Sequence, residues 1–412
     1  MRKISVTGII AEFNPLHKGH EYLITEARKK GQVICVISGN FVQRGDTAIA
    51  EKAVRTEAAL NCGADLVIEL PVLYSISSAE DFAYGAIKIL KSLKVVNHLS
   101  FGSECGNLEI LNDFANVLTN EPPEFQGLLK HELSKGLSFP KARENAALLY
   151  LNDIRKYSNI LNCPNNTLGI EYLKALKTFK SNRYNIQPLT VQRQAVPHNS
   201  LDNINGFASG TAIREMVYNN EYDRLFSSIP KSSYEILLDS IRSGEFVTGL
   251  NCLEKEILYK LRYMSKEDIS NLPWVSEGLE NTIKDAVSNC NTLEELIDKI
   301  KSKRFTRTRI QRILLYALLG YTREDLEFLK QNSPYVRVLG FSSKGKSLLS
   351  KICKSNKKLE LITSVKQYED NCKNKKLINI LKKDIRSTDI YTLGYKQNSK
   401  ANLDYTHKLI IL

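Results

Sequence analysis

Apolar runs alternate with amphipathic stretches through the first 100 residues of the chain. The apolar runs span 4–11, 32–38, 65–70 and 95–101, and helical patterns occupy 19–30, 49–62 and 79–92 between them. Parallel strands that are covered by helices on both faces read as near-continuous apolar runs rather than as alternating patterns. The pattern therefore predicts an α/β fold built on a Rossmann-like, doubly wound parallel sheet.

The rest of the chain is mostly helical and ends in a smaller α/β pattern. A charged helical segment at 122–162 interrupts the first pattern, and we predict that it covers the binding site of the sheet. A fifth strand is expected at 186–192, and two more at 336–341 and 359–363. We expect three parts that pack directly on one another, because no Gly/Ser-rich or Pro-rich linker separates them. These parts are a catalytic part at 1–230, a helical part at 231–330 and a basic α/β part at 331–412.

The length and composition are those of a globular protein with more than one domain. A chain of 412 residues with 42% hydrophobic and 25% charged residues fits two or three such domains. No run of about 18 apolar residues predicts a membrane span. Residues 1–4 lead straight into the first strand without the pattern of a signal peptide. We therefore expect a cytoplasmic protein without membrane contact.

Eight cysteines are scattered along the chain, and none forms a C-x-x-C pair. No pair of histidines completes a zinc half-site, so we predict neither a metal site nor a disulfide framework. Cys35 lies inside an apolar run and is expected to be buried as a small hydrophobic residue.

The net charge of +13 is concentrated near the carboxyl terminus. Residues 301–412 carry 25 Lys and Arg against nine Asp and Glu, whereas the first 300 residues carry 33 basic and 36 acidic side chains. A basic module beside a near-neutral domain is typical of a protein with a polyanionic partner, most often nucleic acid. A solvated Lys-rich surface would give the same counts, so charge alone leaves both interpretations open.

The first apolar run leads into the most informative motif, Asn14-Pro15-Leu16-His17-Lys18-Gly19-His20. A strand, a tight turn and a helix in this order form the layout of a nucleotide site at the end of a parallel strand. His17 and His20 fall on one face of the first helical turn, and Gly19 lets the backbone approach a ligand. Because a helix start attracts phosphate, we predict that both imidazoles hold phosphate oxygens as charge builds in a transition state.

Polar residues also follow the other predicted strands. The loop after the second strand, 39–46, carries Asn, Gln and Arg at the carboxyl end of the strand, where the ligand crevice is expected. Gly102 follows the fourth strand and either admits a nucleotide or forms a simple turn; the residue alone fits both. Asn165 and Asn166 precede a helix, and since one of them suffices as a cap, the other is left for a ligand.

A second phosphate motif, Ser209-Gly210-Thr211-Ala212-Ile213-Arg214, follows the fifth strand. The hydroxyls of Ser209 and Thr211 and the guanidinium of Arg214 at a helix start suit the β- and γ-phosphates of a nucleotide, on the side opposite the histidines. Two such motifs about 190 residues apart, in the order that a doubly wound sheet requires, predict one nucleotide site.

The densest basic run, 301–309, leads into another predicted helix. Basic side chains at a helix start oppose the helix dipole, so we predict that they contact the phosphates of RNA. The predicted RNA contacts are Lys303, Arg304, Arg307 and Arg309 in this run and Lys344 on a basic helix further along.

These motifs together resemble the bacterial tRNA(Met) cytidine acetate ligase family of the HxGH nucleotidyltransferase superfamily. The matching stretches are 8–20, 38–45, 61–71, 101–104, 164–172, 209–214, 303–310 and 339–341. The stretch Gly-Asn-Phe-Val-Gln-Arg-Gly at 39–45 is the most specific, because the wider superfamily lacks it. Two positions depart from the pattern: Gly210 replaces a serine of the superfamily motif I-S-S-T-x-x-R, and Gln192 precedes Arg193 where the family often has Lys.

The resemblance implies a nucleotidyltransferase-type sheet and an ATP-dependent ligase that forms a carbon–nitrogen bond. Such an enzyme makes acetyl-adenylate from acetate and ATP, with Mg²⁺ expected, and acetylates N4 of the wobble cytidine of elongator tRNA(Met). His17 and His20 are the implied catalytic groups. The ATP contacts expected from the motifs and the resemblance are Thr7, Gly8, Ile9, Ile10, Ala11, Glu12, Phe13, Asn14, Pro15, Leu16, His17, Lys18, Gly19, His20, Gly102, Asn165, Arg193, Ser209, Thr211 and Arg214.

Two other functions compete with this one. An adenylyltransferase that acts on a small phosphorylated metabolite, as in coenzyme A or NAD synthesis, explains both phosphate motifs but not the basic carboxyl-terminal quarter. An RNA-binding protein with a nucleotide sensor site explains the basic quarter. A sensor gives no reason for His17, His20 and Arg214 to occur together.

Overall fold

A computed structural model describes residues 5–181, 184–193 and 208–412, and one large sheet forms its centre. The strands of this sheet are β1 Val6–Ala11, β2 Gln32–Ser38, β5 Leu66–Leu70, β6 His98–Ser103, β7 Gln187–Gln192, β8 Tyr335–Phe341, β9 Glu360–Ile362 and β10 Ile410–Ile411. Two short strands, β3 Phe41–Val42 and β4 Asp46–Thr47, form a separate antiparallel hairpin. The order in the large sheet is β10-β8-β5-β2-β1-β6-β7, with β9 paired to β8.

Five neighbouring strands of this sheet, β5, β2, β1, β6 and β7, run parallel. If these five strands are numbered as they occur along the chain, their order across the sheet is 3-2-1-4-5. The direction of winding therefore reverses between β1 and β6. Doubly wound sheets bind ligands at the carboxyl ends of their strands at such a reversal. The predicted fold class is confirmed, and the topology places the crevice next to Ala11 and Gly102.

Helices cover both faces of the sheet, and none of those in the described ranges is long and apolar enough to cross a membrane. The helices before the fifth parallel strand are α1 Lys18–Arg28, α2 Lys52–Asn61, α3 Val72–Ser75, α4 Ala79–Ser92, α5 Leu108–Asn120, α6 Pro123–Ser134, α7 Phe139–Leu151, α8 Ile154–Tyr157 and α9 Pro164–Thr178. Those up to β8 are α10 Gly210–Tyr218, α11 Tyr222–Ser228, α12 Lys231–Arg242, α13 Glu254–Tyr263, α14 Lys266–Ser270, α15 Leu279–Ser288, α16 Leu293–Ile300, α17 Arg307–Leu319 and α18 Arg323–Gln331, with a 3₁₀ turn at Leu250–Leu253. The last four are α19 Ser343–Ser355, α20 Val365–Asn371, α21 Lys375–Thr392 and α22 Leu403–Thr406.

The apolar run of β2 explains why helices lie on both of its faces. Val33, Cys35 and Ile37 pack with α1 and α2, whereas Ile34 and Val36 face the opposite core. All five side chains are fully buried. Burial of a large aliphatic side chain contributes roughly 1.5–3 kcal/mol, so a continuous apolar run is stable only between two helical layers. The prediction that Cys35 is buried is confirmed.

Some elements differ from the predicted ones. The strand expected at 95–101 lies at His98–Ser103, because Lys94 turns the chain with φ +57° and Val96 fills the core beside Gly8. The pattern also missed α5, and the residue at position 4 of the first predicted strand lies outside the described residues.

The carboxyl-terminal part contributes strands to the same sheet. β8 runs antiparallel to β5, and Phe341 pairs with Leu66, the first residue of β5. Main-chain hydrogen bonds thus join residues 331–412 to the first part of the chain, as the lack of a linker suggested. The division into parts at 1–230, 231–330 and 331–412 stays a prediction.

Four buried charged side chains form ion pairs between the carboxyl-terminal part and the first part of the chain. The Lys52 ammonium lies 2.9 Å from Glu69 and 2.8 Å from Asp404, and the Arg337 guanidinium lies 3.0 Å and 2.8 Å from the same two carboxylates. Burial opposes the ionisation of Asp404, but the charges of Arg337 and Lys52 hold its pKa well below the usual range. We call these four residues the junction cluster; its two cations balance its two anions.

Asp384 lies next to the junction cluster and makes the stability depend on pH. Burial, reinforced by the charge of Glu69, raises the pKa of Asp384 to about 7, although the hydroxyls of Tyr321 and Tyr335 donate hydrogen bonds to it. In an unfolded chain the pKa of Asp is about 3.9. Between these values the folded state binds more protons, so the contribution of Asp384 to the free energy of unfolding falls as pH rises from about 4 to about 7.

We expect Asp384→Asn to remove this dependence. The free energy of unfolding of the wild type minus that of the variant should fall by about 2 kcal/mol between pH 5 and pH 7. One pKa unit corresponds to about 1.4 kcal/mol. Urea unfolding at pH 5, 6 and 7 measures the difference, and the titration of groups common to both proteins cancels. A difference that stays constant over this range would contradict the raised pKa.

Candidate active site at the carboxyl ends of the central strands

A cavity of about 280 Å³ lies at the reversal point of the sheet. Its walls come from the ends of β1, β6 and β7, the β3–β4 hairpin and the first turns of α1, α9 and α10. The predicted ATP contacts that line it are Ile10, Ala11, Glu12, Phe13, Asn14, His17, Gly19, His20, Gly102, Asn165, Arg193, Ser209, Thr211 and Arg214. Motifs that are up to 200 residues apart in the chain therefore meet at one site.

The remaining predicted contacts do not line this cavity. They are Thr7, Gly8 and Ile9 inside β1, Pro15 and Leu16 in the turn that follows, and Lys18 at the start of α1. Thr7 and Ile9 are fully buried in the sheet. A Cβ at Gly8 would lie 2.8 Å from a methyl group of Leu90, so this glycine serves the packing of α4. These six positions do not line the cavity, and their contacts with a nucleotide stay predictions.

The turn between β1 and α1 is held from two sides. The Asn14 side-chain oxygen accepts a hydrogen bond from the Ile49 N–H at 2.8 Å, and its main-chain carbonyl accepts one from Arg214 at 2.9 Å. The peptide bond between Asn14 and Pro15 is cis, and Phe13 has φ +49°. These contacts fix the path of the chain just before the two histidines.

His17 and His20 form one unit at the start of α1. The Gly19 N–H donates to Nδ1 of His17 at 3.1 Å, and the His17 N–H donates to Nδ1 of His20 at 3.3 Å. The two rings stack with centroids 3.7 Å apart. A Cβ at Gly19 would lie 3.0 Å from the His17 ring, so glycine allows this ring to cap the helix.

Both imidazoles are neutral at physiological pH. Burial, then the charges of His20, Arg193 and Arg214, lower the pKa of His17 well below its usual value. Burial and Arg193 lower the pKa of His20 to about 3. A neutral ring carries one proton, and since each Nδ1 accepts a main-chain N–H, the proton sits on each Nε2. The site thus presents two N–H donors without a positive charge of their own.

Three arginines, Arg44, Arg193 and Arg214, line the cavity and supply its positive charge. Arg214 donates to the Asn14 carbonyl and, at 3.2 Å, to the Thr211 hydroxyl on the first turn of α10. Arg193 directly follows β7, and within the described ranges no residue forms an ion pair or hydrogen bond with its guanidinium. Burial lowers the pKa of Arg193, while the Glu104 carboxylate opposes that shift. Ser209 caps α10 by accepting the Ala212 N–H at 3.1 Å.

The two adjacent asparagines have different environments, and neither caps α9. The Glu104 carboxylate accepts the main-chain N–H groups of Asn165 and Asn166 at 3.2 and 2.8 Å, so it performs the capping that the sequence assigned to an asparagine. Asn166 is buried, and its side-chain oxygen accepts the Cys105 N–H at 3.1 Å. Asn165 lines the cavity and donates from Nδ2 to Glu104 at 2.7 Å. Asn165 is therefore the better candidate for a ligand contact.

Arg55 belongs to no motif, yet it organises the floor of the site. Its fully buried guanidinium donates to the carbonyls of Glu12 at 2.7 Å and Ser38 at 3.0 Å, and also to that of Gly39. Its Nε donates to the Ala50 carbonyl at 2.9 Å. One side chain thereby joins the ends of β1 and β2 to the loop that carries the hairpin.

The segment 122–162 contributes no residue to the cavity. Its helices α6 and α7 pack on each other, and α7 also packs on α5. The expectation that this segment covers the site is wrong, because its apolar side chains extend the core around α5 and α9 instead.

The predicted RNA contacts lie in two separate places in the structure. Lys303 and Arg304 are exposed just before α17, and Arg304 pairs with Glu277 at 3.3 Å. Arg307 pairs with Glu294 near the cavity. Lys344 follows β8 at the amino ends of the parallel strands, where its carbonyl accepts a hydrogen bond from the Gln32 side chain at 3.1 Å.

Arg309 is engaged in holding a neighbouring loop. It donates to the Trp274 carbonyl at 2.9 Å and to the Ser276 hydroxyl at 3.2 Å, and it lies over the Phe305 ring. The structure therefore brings Lys303, Arg304 and Arg307 together as the best candidates for RNA phosphates. It gives Arg309 a role in the fold and places Lys344 at the far edge.

Comparison with known proteins defines the class first. The chain is a nucleotidyltransferase of the HIGH type, since the model of the family described as HIGH Nucleotidyl Transferase matches residues 4–405. A relative named tRNA(Met) cytidine acetate ligase from Caldanaerobacter subterraneus subsp. tengcongensis is 43% identical over 98% of this chain and 99% of its own. A relative of the same name from Acetivibrio thermocellus is 41% identical over 99% and 100%. The chain belongs to the tRNA(Met) cytidine acetate ligase family, which confirms the resemblance found in the sequence.

Solved structures agree with this assignment. The structure of Thermotoga maritima TmcAL in its apo form has a TM-score of 0.90 and 30% identity, and the match covers 99% of this chain and 100% of the other. The same Thermotoga maritima protein bound with alpha-thio ATP has a TM-score of 0.88, with the same identity and coverage. The sheet, the helices and their order are therefore those of this family over the residues that the structure describes.

Proposed function

We propose that this protein makes acetyl-adenylate from acetate and ATP and transfers the acetyl group to N4 of the wobble cytidine of elongator tRNA(Met). One observation carries the first half of this proposal: two neutral imidazoles with Nε2–H donors lie at a helix start, at the reversal point of the sheet, in a cavity that Arg214 also lines. The name that the relatives share and the nucleotide bound to the Thermotoga maritima structure support it. A tRNA substrate places the reaction in the cytoplasm.

The cavity suggests how ATP is held. The triphosphate lies between the start of α1, with His17 and His20, and the start of α10, with Arg214, since both helix ends attract anions. Main-chain groups of 10–14 flank the nucleotide, and Gly102 and Asn165 adjoin its nucleoside part. Arg193 has a guanidinium without a partner in the described part of the chain, and it is the natural contact for a phosphate or ribose oxygen.

The proposed first step is an in-line displacement at the α-phosphate. A carboxylate oxygen of acetate attacks this phosphorus atom, and the bond to the bridging oxygen of pyrophosphate breaks. Negative charge grows on the non-bridging oxygens, where the two imidazole N–H groups donate hydrogen bonds. Preorganised donors of this kind are among the largest contributions to catalysis.

Mg²⁺ is expected to enter with the nucleotide. The described ranges contain no group of three or more His, Cys, Asp or Glu suited to a metal ion, and Mg²⁺ in such sites is held largely by substrate phosphates and water. When bound, it supplies charge that neutralises the departing pyrophosphate. The residues of this chain then need only hold the triphosphate and the acetate.

The test of this function is incubation with ATP, radiolabelled acetate and bulk bacterial tRNA, followed by nucleoside analysis. We expect N4-acetylcytidine confined to tRNA(Met), with pyrophosphate released in the presence of acetate. Pyrophosphate release that requires nicotinate mononucleotide or phosphopantetheine instead of acetate would identify an adenylyltransferase and overturn the proposal. Binding of tRNA without any turnover would favour the sensor protein.

Combined replacement of Lys303, Arg304 and Arg307 by alanine is expected to weaken tRNA binding and to flatten its salt dependence. Each lost phosphate contact reduces the slope of log K against log salt by about one, so the slope should fall by about two to three. Filter binding from 50 to 200 mM salt measures it, and acetate-dependent pyrophosphate exchange measures the first step, which should persist. Lys130→Ala, on the exposed surface of α6, is the matched control. Unchanged tRNA affinity of the triple variant at low salt would refute the assignment.

A further inference from the structure

A second cavity adjoins the first and shares Asp46 with it. It has a volume of about 550 Å³, and its walls come from the hairpin, α10, the turn at 246–251 and the first turns of α17. Ligand pockets in proteins span roughly 300–1,000 Å³, so this cavity admits a nucleotide. Arg307 lines it, and the exposed basic residues Lys303 and Arg304 immediately precede α17.

Asp46 stands between the two cavities with one oxygen uncommitted. Its Oδ1 accepts the N–H groups of Thr47 at 2.8 Å and Leu250 at 2.7 Å, which fixes the carboxylate plane. Its Oδ2 has no hydrogen-bond partner among the residues that the structure describes. Burial raises the pKa of Asp46, while the positive charges of Arg214 and Arg307 oppose the rise. A carboxylate in this position is available to a ligand that enters from either side.

The second cavity also contains the Gln311 amide, which has no hydrogen-bond partner among the residues that the structure describes. Arg307 and Gln311 lie four residues apart and so share one face of α17, and both line the cavity. The hairpin approaches α17 very closely at Gly45, where a Cβ would lie 2.5 Å from the Arg312 nitrogen. Only glycine allows this close approach. Gly45 also has φ +77°, a backbone conformation that favours glycine. Asp46, the residue after Gly45, and Gln311 are thereby held close to one another at this contact.

We propose that the second cavity receives the target cytidine, turned out of the RNA, and that Asp46 accepts the proton of its N4 amine. This inference rests on the proposed function. Enzymes that modify a base take it out of the stack into a pocket and read its polar edge, and RNA loops offer such unstacked bases. The Gln311 amide carries one donor group and one acceptor, which match N3 or O2 and the N4 amine of cytosine. The half-exposed ring of Tyr218 in the same cavity offers a stacking surface.

The transfer step balances without a further reactant. The N4 lone pair attacks the carbonyl carbon of acetyl-adenylate in the first cavity, and a carbon–nitrogen bond forms. The bond between that carbon and the phosphate oxygen breaks, and AMP leaves with the electron pair. The proton lost by N4 moves to Oδ2 of Asp46. The acyl carbon lies in the first cavity and the amine enters from the second. The base that accepts the proton therefore has to lie where the two cavities meet, which is the position of Asp46.

Asp46→Asn tests the role of the carboxylate, because it keeps the shape and the acceptor for the two main-chain N–H groups. We expect single-turnover transfer from preformed acetyl-adenylate to tRNA to fall by about 10²-fold or more, the usual range for a general base. Acetate-dependent pyrophosphate exchange should fall far less, by less than about fivefold. The exposed Asp239→Asn is the matched control. Equal losses in both half-reactions, or transfer within about threefold of wild type, would overturn the proposal.

Gln311→Leu provides an independent test that does not depend on Asp46. We expect wild type to bind an anticodon stem-loop with cytidine at the wobble position more tightly than one with uridine, and the variant to lose most of that preference. An equal preference in both proteins would reject the second cavity as the base site. If wild type places no acetyl group on RNA, the proposed function itself fails; if wild type acetylates RNA and Asp46→Asn does so equally well, only this inference fails.

Discussion

Replacement of His20 by alanine is expected to lower the rate of acetyl-adenylate formation by about 10²–10³-fold, the usual effect of removing one donor that stabilises a developing charge. His20 is neutral because burial and Arg193 lower its pKa to about 3. Its Nδ1 accepts the His17 N–H, so the donor is Nε2–H. The variant loses this donor and also releases the main-chain N–H that closes the turn before α1.

The effect should appear in kcat more than in the affinity for ATP. The arginines and helix ends remain in the variant and hold the ground-state triphosphate, whereas the imidazole acts when charge grows at the α-phosphate. Acetate-dependent pyrophosphate exchange at several ATP concentrations separates the two quantities. His131→Ala, on the exposed surface of α6, is the control.

His17 and His20 are expected to behave as a unit. Their rings stack, and both are fastened to the same helical turn, so the double alanine variant should be little slower than either single one. If the rate loss of the double variant equals the product of the two single losses, the two rings act independently. A His20→Ala rate within about fivefold of wild type would exclude the imidazole from the chemistry.

The first half of the site could be predicted because its signals are local. A strand, His17, Gly19, His20 and a helix lie within about 25 residues, and the periodicity of the chain fixes each element. The same holds for Arg214 at the start of α10. Such motifs carry their own geometry, because a helix start presents free N–H groups wherever the helix lies.

The contacts that complete the site are long-range and left no readable pattern. Glu104 caps a helix that begins 60 residues later, and Arg55 binds carbonyls of three separate segments. The Asp46 carboxylate is oriented by the N–H of Leu250, some 200 residues away in the chain. β8 joins the sheet next to β5, although its apolar run fits an independent small sheet equally well. Burial and charge pairing decide these features, and they depend on the folded chain.

Replacement of Lys52 by methionine is expected to lower the free energy of unfolding by about 3–5 kcal/mol, the usual loss when one partner of a buried ion pair is removed. The ammonium of Lys52 contacts Glu69 and Asp404, and all three side chains are almost fully buried. Without Lys52, the Arg337 guanidinium alone faces two carboxylates. The same lysine also donates its main-chain N–H to Asn40 at 2.7 Å, so the cluster lies directly beneath the loop of the site.

Urea unfolding followed by circular dichroism measures this loss, and Lys400→Met, which removes one half of an exposed pair with Glu245, is the control. The exposed pair should contribute little, since water already solvates both ions. Lys52→Met combined with Glu69→Gln restores the balance of one cation and one anion, Arg337 and Asp404. The double variant should therefore recover part of the stability that the single variant loses, although it removes one more charge. A double variant that is less stable than Lys52→Met would mean that geometry, rather than the balance of buried charge, holds the carboxyl-terminal part against the sheet.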